Sequence, residues 1–112
     1  MNNIYIMSAV RSPIGTFGGT LKNFHPVDLG TIVAKEAIKR SKFESKEISH
    51  AVFGNVIHTE PRDMYVSRVI ALQSGLNKES SAFTVNRLCG SGLQSIVSAT
   101  QLIALDDAEI AL

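Results

Sequence analysis

With 112 residues, a formal net charge of +1 and 19% charged residues, the chain is one domain or part of one, and nothing in its charge points to nucleic acid or a membrane surface. A 45% hydrophobic content supports a real core, and a domain of this size buries roughly 65% of its unfolded surface when its elements are complete. One cysteine excludes an internal disulfide, three scattered histidines form no metal-ligand cluster, and no apolar run approaches the ~20 residues that span a bilayer. Met1-Asn2-Asn3 lacks the charged start of a signal peptide, so a cytoplasmic chain is the expectation.

The first element is Ile4 to Val10. Ile4, Ile6, Met7, Ala9 and Val10 make a short apolar run, the pattern of a strand covered on both faces. Arg11 to Thr20 then brings Pro13, Gly15, Gly18 and Gly19, which mark a loop. It lacks the Gly-Lys-Ser/Thr ending of a phosphate-binding loop and reads as a structural turn. Pro26 opens a helix that runs to about Arg40, with Asp28 near its positive end and Lys35, Lys39 and Arg40 toward its negative end. Leu29, Ile32, Val33, Ala37 and, at its edge, Ile38 form the expected buried stripe, and the basic residues a solvated face. His25 stands at the boundary. Ser41 to Ser49 is a polar loop with a helical turn near Ser45 to Ile48.

Ala51 to Ile57 reads as the second strand. Gly54 and Asn55 interrupt it, which implies a bulge or the close approach of another backbone. His50 and His58 flank this strand and read as boundary groups, although either could move a proton. Thr59 to Asp63 is a turn containing Pro61, with Arg62 as a solvated charge. Met64 to Ser74 is a second helix, striped by Val66, Val69, Ile70 and Gln73 and stopped by Gly75.

Ala82 to Asn86 is the third strand. The chain breaks at Arg87-Leu88-Cys89-Gly90-Ser91-Gly92 and becomes a helix at Leu93. Apolar or small residues recur at Leu93, Ile96, Val97, Thr100, Ile103 and Ala104, while Ala99, Leu102 and Leu105 occupy the other faces. A helix apolar nearly all round belongs inside a protein. Asp106-Asp107 ends it, and Ala108 to Leu112 begins a fourth strand. The order β-α-β-α-β-α-β places the chain in the α/β class, with a parallel sheet and right-handed crossovers.

Cys89 is expected where the third helix begins. The free N–H groups and positive dipole of a helix's first turn favour a thiolate over a thiol. Gly90 and Gly92 carry no side chains and let a bulky group reach the sulfur. These residues fit either a nucleophile buried at a strand-to-helix turn or a small packed hydrophobe. Gly90-Ser91-Gly92 is also a weak match to a dinucleotide fingerprint. Its third glycine would fall at Ser95, and Glu109 comes too early in its strand to bind a ribose.

The stretch Val85-Asn86-Arg87-Leu88-Cys89-Gly90-Ser91-Gly92-Leu93-Gln94 resembles the nucleophile region of thiolases. Arg11-Ser12-Pro13-Ile14-Gly15-Thr16-Phe17-Gly18-Gly19 looks like that family's N-terminal signature, and Phe53-Gly54-Asn55-Val56 is similar to its second strand. Glu60-Pro61-Arg62-Asp63-Met64-Tyr65 resembles a variant of bacterial β-ketothiolases. The resemblance implies the N-terminal part of the layered α/β/α/β/α thiolase fold, incomplete, with residues 1–112 truncated after the nucleophile helix and the start of the fourth strand.

It also implies acyl transfer between thioesters. Cys89 would attack an acyl-CoA carbonyl and hold the acyl group, and the carbanion of a second acetyl-CoA would attack that carbonyl, or the reverse. The backbone N–H of Cys89 is the candidate oxyanion donor. Coenzyme A thioesters are substrates, no cofactor or metal is implied, and full-length members are homo-oligomers, as dimers or tetramers, with no nucleic-acid or membrane partner. The family's catalytic histidines, second cysteine and CoA-binding loop lie beyond the equivalent of Leu112. His25, His50 and His58 match none of them. Two expectations follow: an acyltransferase completed by further sequence, or an inactive remnant acting only as an interaction or structural fragment.

Overall fold

Pro26, whose fixed φ suits a first helical turn and whose missing N–H is no loss there, opens helix α1, Pro26–Ser41. The computed structural model describes residues 3–112. His25 is the residue before the helix and makes no side-chain capping bond. Lys42 ends α1 in the left-handed region at φ 66°, its N–H bonded to the Lys39 carbonyl at 3.4 Å. The buried face of α1 is Val27, Thr31, Ala34 and Ile38, which keeps Ile38 but is otherwise rotated from the expected stripe, and Ile32 is 56% exposed. The rotation follows from Gly30, where even a Cβ would collide with Ile70 of the facing helix. Thr31 is accommodated because its hydroxyl lies 2.7 Å from the Val27 carbonyl and 2.8 Å from the Gln73 side-chain oxygen.

A 3₁₀ turn at Ser45–Glu47 leads to strand β1, His50–Gly54. A second, Pro61–Tyr65, runs into helix α2, Val66–Gln73, which Gly75 stops at φ 96°. Strand β2, Ser81–Val85, then pairs parallel to β1 in the register His50↔Ser81 to Gly54↔Val85. Residues 110–112 lie along the other edge of β1, where the Val52 N–H reaches the Leu112 carbonyl at 2.8 Å and the Leu112 N–H reaches the His50 carbonyl at 2.9 Å. The expected fourth strand thus pairs, as a short parallel bridge at Ala111.

Alternation along β1 sorts the layers. Ala51 and Phe53 pack with Ile38, Ile48, Ala71 and Leu76, or with Val27, Ala34, Val66 and Ile70, so the core lies between the sheet and the α1–α2 pair. Gly54 faces the other way, against helix α3, Ser91–Ala104. The buried hydroxyl of Ser67 joins α2 to both strands, accepting the Phe53 N–H at 3.1 Å and meeting Thr84 Oγ1 at 2.9 Å.

Further expectations change. Residues 4–10 are not a strand and form no ladder: among the described residues no strand lies beside them. Among the described residues their one hydrogen bond is Ser8 Oγ to the Ala37 carbonyl at 2.8 Å, and Tyr5, Ile6 and Met7 stay more than half exposed. An apolar run supplies a strand's side chains, but only a neighbour supplies its hydrogen bonds. The expected buried stripe of α3 is also turned outward, with Leu93, Ile96, Val97, Thr100 and Ala104 facing solvent. Only Ser91 of that helix is buried.

Candidate active site

The last rung between the strands is the Asn55 N–H on the Val85 carbonyl at 3.1 Å, and the chain turns immediately afterwards. Asn86 makes the turn. Its Oδ1 accepts the Leu88 N–H at 3.1 Å, the i to i+2 bond of an Asx turn, while its Nδ2 donates to the Val56 carbonyl at 3.4 Å. Leu88 adopts φ 48°, a left-handed conformation that side chains disfavour. Ser91 closes the turn from the far side: its hydroxyl accepts the Arg87 N–H at 2.8 Å and donates to the Leu88 carbonyl at 2.7 Å. The Ser91 N–H reaches that same carbonyl at 3.0 Å.

Cys89 follows this pinned peptide. Gly90 is the residue before α3, whose first internal bond is the Gln94 N–H on the Gly90 carbonyl at 2.9 Å. The cysteine therefore precedes the helix by two residues. It is exposed, which corrects the expectation of a buried thiol: the neighbours on one side are glycines, and nothing lies within 4 Å of where a Gly92 side chain would begin. The close approach anticipated at Gly54 is present. A Cβ there would stand 2.8–2.9 Å from the backbone and Cβ of Ser91, so the residue that closes the cysteine turn rests on the end of β1.

His25 and His50 find their partners away from this turn. His25 Nδ1 lies 3.5 Å from Glu60 Oε1, and His50 Nδ1 lies 3.0 Å from Ser49 Oγ. Arg62 is not a free solvated charge: it spans Asp28 at 3.3 and 3.4 Å and Glu60 at 2.8–3.0 Å, tying the 3₁₀ turn to the start of α1. Asp63 had no assigned role from sequence and is fully buried. Burial pushes its carboxyl up, but the N–H and O–H of Thr59 and the N–H of Glu60 outweigh that and hold it below the ordinary value, with His58 adding attraction. Its own carbonyl accepts Asn55 Nδ2 at 3.4 Å. Asn86, Ser91 and Asp63 were not legible as site residues, since turn-forming Asn, Ser and Asp are common in any loop. Among the described residues no group of three His, Cys, Asp or Glu side chains is placed to hold a metal, and no helix is long and apolar enough to cross a membrane.

The model of the thiolase N-terminal domain matches residues 4–112, nearly the whole chain. The chain belongs to the thiolase family. It is 52% identical over 109 residues to the β-ketothiolase BktB of Cupriavidus necator, covering 97% of this chain and 28% of that protein. It is 38% identical over 112 residues to the human mitochondrial 3-ketoacyl-CoA thiolase, again 28% of the relative's length. The crystal structure of that human thiolase in complex with CoA superposes with a TM-score of 0.90, over 93% of this chain and 26% of that one. The acetyl-CoA acetyltransferase of Bacillus anthracis gives 0.86 at 41% identity, over 92% and 26%. The chain thus spans little more than a quarter of the relatives it matches, and its α/β architecture is the N-terminal part of the thiolase fold. The cytoplasmic expectation is corrected here, because relatives as similar as the human and bovine enzymes are mitochondrial.

Proposed function

We propose that this thiolase-family chain carries the nucleophile of an acyltransferase that forms or cleaves 3-ketoacyl-CoA, and that Cys89 is that nucleophile. The observation that carries the reading is an exposed thiol on a turn braced by Asn86 and Ser91, at the start of a helix, in a chain matched to the family over residues 4–112. In this reading Sγ of Cys89 attacks the carbonyl of an acyl-CoA, the CoA thiol departs, and the acyl group is held as a thioester. A second acetyl-CoA loses an α-proton, its carbanion attacks that thioester, and the 3-ketoacyl-CoA leaves with the Cys89 thiolate restored. The reverse direction cleaves the product and serves fatty-acid breakdown. One difficult carbon–carbon step becomes two easier ones.

The Cys89 N–H offers a donor to the developing oxyanion. The neighbouring amides are committed, Gly90 to the Arg87 carbonyl and Ser91 to the Leu88 carbonyl, both at 3.0 Å. Both proton transfers need a base. None of His25, His50 and His58 matches the family's catalytic motifs, so in this reading the bases come from the part of the relatives' length that the chain does not span. Acyl-CoA and further copies of the protein, as a dimer or tetramer, are the partners the reading takes from the family. The human relative crystallised in complex with CoA supports the first.

The test is to incubate full-length protein with acetyl-CoA, quench in acid and map the peptides by mass spectrometry. Acetyl label on Cys89, lost together with acetoacetyl-CoA cleavage in Cys89→Ser, is expected. Label at another residue, or turnover that survives Cys89→Ser, overturns the reading.

A further inference from the structure

We infer that Asn86 is a positioning residue for Cys89, acting through the backbone of Leu88. The inference deepens the reading of Cys89 as acyl acceptor and rests on it. Leu88 stands at φ 48°, where a leucine is rarely found, and such conformations persist only where the surroundings over-determine them. Here both polar groups of that residue are held. Its N–H is taken by Asn86 Oδ1 at 3.1 Å, and its C=O by the hydroxyl and N–H of Ser91 at 2.7 and 3.0 Å. Cys89 is the next residue, so the dihedrals of Leu88 decide where its Cα and sulfur stand relative to α3.

The two arms of Asn86 reach different chain segments. While Oδ1 sets the turn, Nδ2 holds the Val56 carbonyl at 3.4 Å, just past the end of β1. Gly54, two residues before Val56, carries Ser91 against its bare Cα. The end of β1 thus supports the cysteine turn at both of its clamping residues. Asparagine suits this place better than aspartate, which has no donor for Val56 and would bring a negative charge near a thiolate. Leaving Leu88 unclamped would let it relax toward negative φ and carry the sulfur away from its set position, and misplacements of about 1 Å can cost 10²-fold in rate.

The experiment compares Asn86→Thr with Asn86→Val in the full-length protein. The two side chains are close in shape, both lose the link to Val56, and only threonine keeps an acceptor for the Leu88 N–H. Each is also made with Leu88→Gly, because glycine takes positive φ without a clamp. The readouts are the rate of Cys89 alkylation by iodoacetamide across pH, kcat and KM for acetoacetyl-CoA cleavage, and the melting temperature. Asn86→Val is expected to lose about tenfold or more in alkylation rate and kcat relative to Asn86→Thr, with KM and melting temperature close to those of the threonine variant. With Leu88→Gly present, that difference shrinks severalfold. Equal alkylation rates for the two variants, or a difference that Leu88→Gly leaves unchanged, overturns the inference. Alkylation needs no acyl transfer, so turnover surviving Cys89→Ser would remove the acyl-acceptor reading while the alkylation arm still reports on Asn86.

Discussion

Asp63 has no exposed surface, yet it stays charged because three donors converge on one of its oxygens: the Thr59 N–H and hydroxyl at 2.7 Å and the Glu60 N–H at 3.2 Å. Its carboxyl titrates below the ordinary 3.8, so the folded state releases this proton more readily than the unfolded one. The stability it contributes is present above the unfolded value and is lost as pH falls through the lower folded value. Asp63→Asn should therefore cost about 1–3 kcal/mol at neutral pH. That cost should shrink below about pH 4, where the carboxyl of the unfolded chain begins to take up its proton. Urea unfolding of both proteins across pH 3 to 7 measures it, and a cost independent of pH would mean that the charge is not what holds the 59–63 turn. A single sequence does not mark such a residue, since Glu60-Pro61-Arg62-Asp63 does not say which carboxylate faces the interior.

At the scale of elements, the contact that matters most to the site is the end of β1 against the start of α3. Gly54→Ala would place a methyl 2.8–2.9 Å from Ser91, whose atoms there are mostly backbone and cannot swing aside. The expected result is a loss of about 1–3 kcal/mol, typical of overpacking, with a slower alkylation of Cys89 as Ser91 is pushed off its turn. Thermal melts and iodoacetamide kinetics report the two effects, and an unchanged alkylation rate at reduced stability would separate the strand end from the cysteine. This contact was legible in sequence, because a glycine inside an apolar strand has few other reasons to be there. So were the helix signals: Pro26 at the start of α1 and Gly75 past α2 fall where expected. What the periodicity could not tell was which side a neighbour covers. Leu29, Ile32 and Val33 look as buried as Val27 and Ala34 until Gly30 and Ile70 set the approach of the two helices. The same ambiguity hid the outward stripe of α3.

The whole molecule exposes more than its mass requires. Its accessible surface is 7721 Å² for 12.1 kDa, where a self-contained monomer of that mass exposes about 6,000 Å². Part of the excess is apolar and lies on one helix face: Leu93 is 70% exposed, Ile96 51% and Val97 42% along one stripe of α3. Residues 4–10 add Tyr5 at 71% and Ile6 at 76%, and the outer edge of β2 has no strand beside it among the described residues. Apolar stripes and open strand edges of this kind drive association. The 112-residue chain prepared alone should sediment as dimers or larger species at micromolar concentration. Replacing Leu93 and Val97 together by lysine should shift it toward monomer without loss of helix signal, since neither side chain is in the core between the sheet and the α1–α2 pair. Sedimentation velocity with far-ultraviolet circular dichroism is the measurement. A wild-type chain that runs as a compact monomer with a cooperative melt would show that the stripe is tolerated in water. A double variant that loses its fold would instead make the stripe part of the chain's own core.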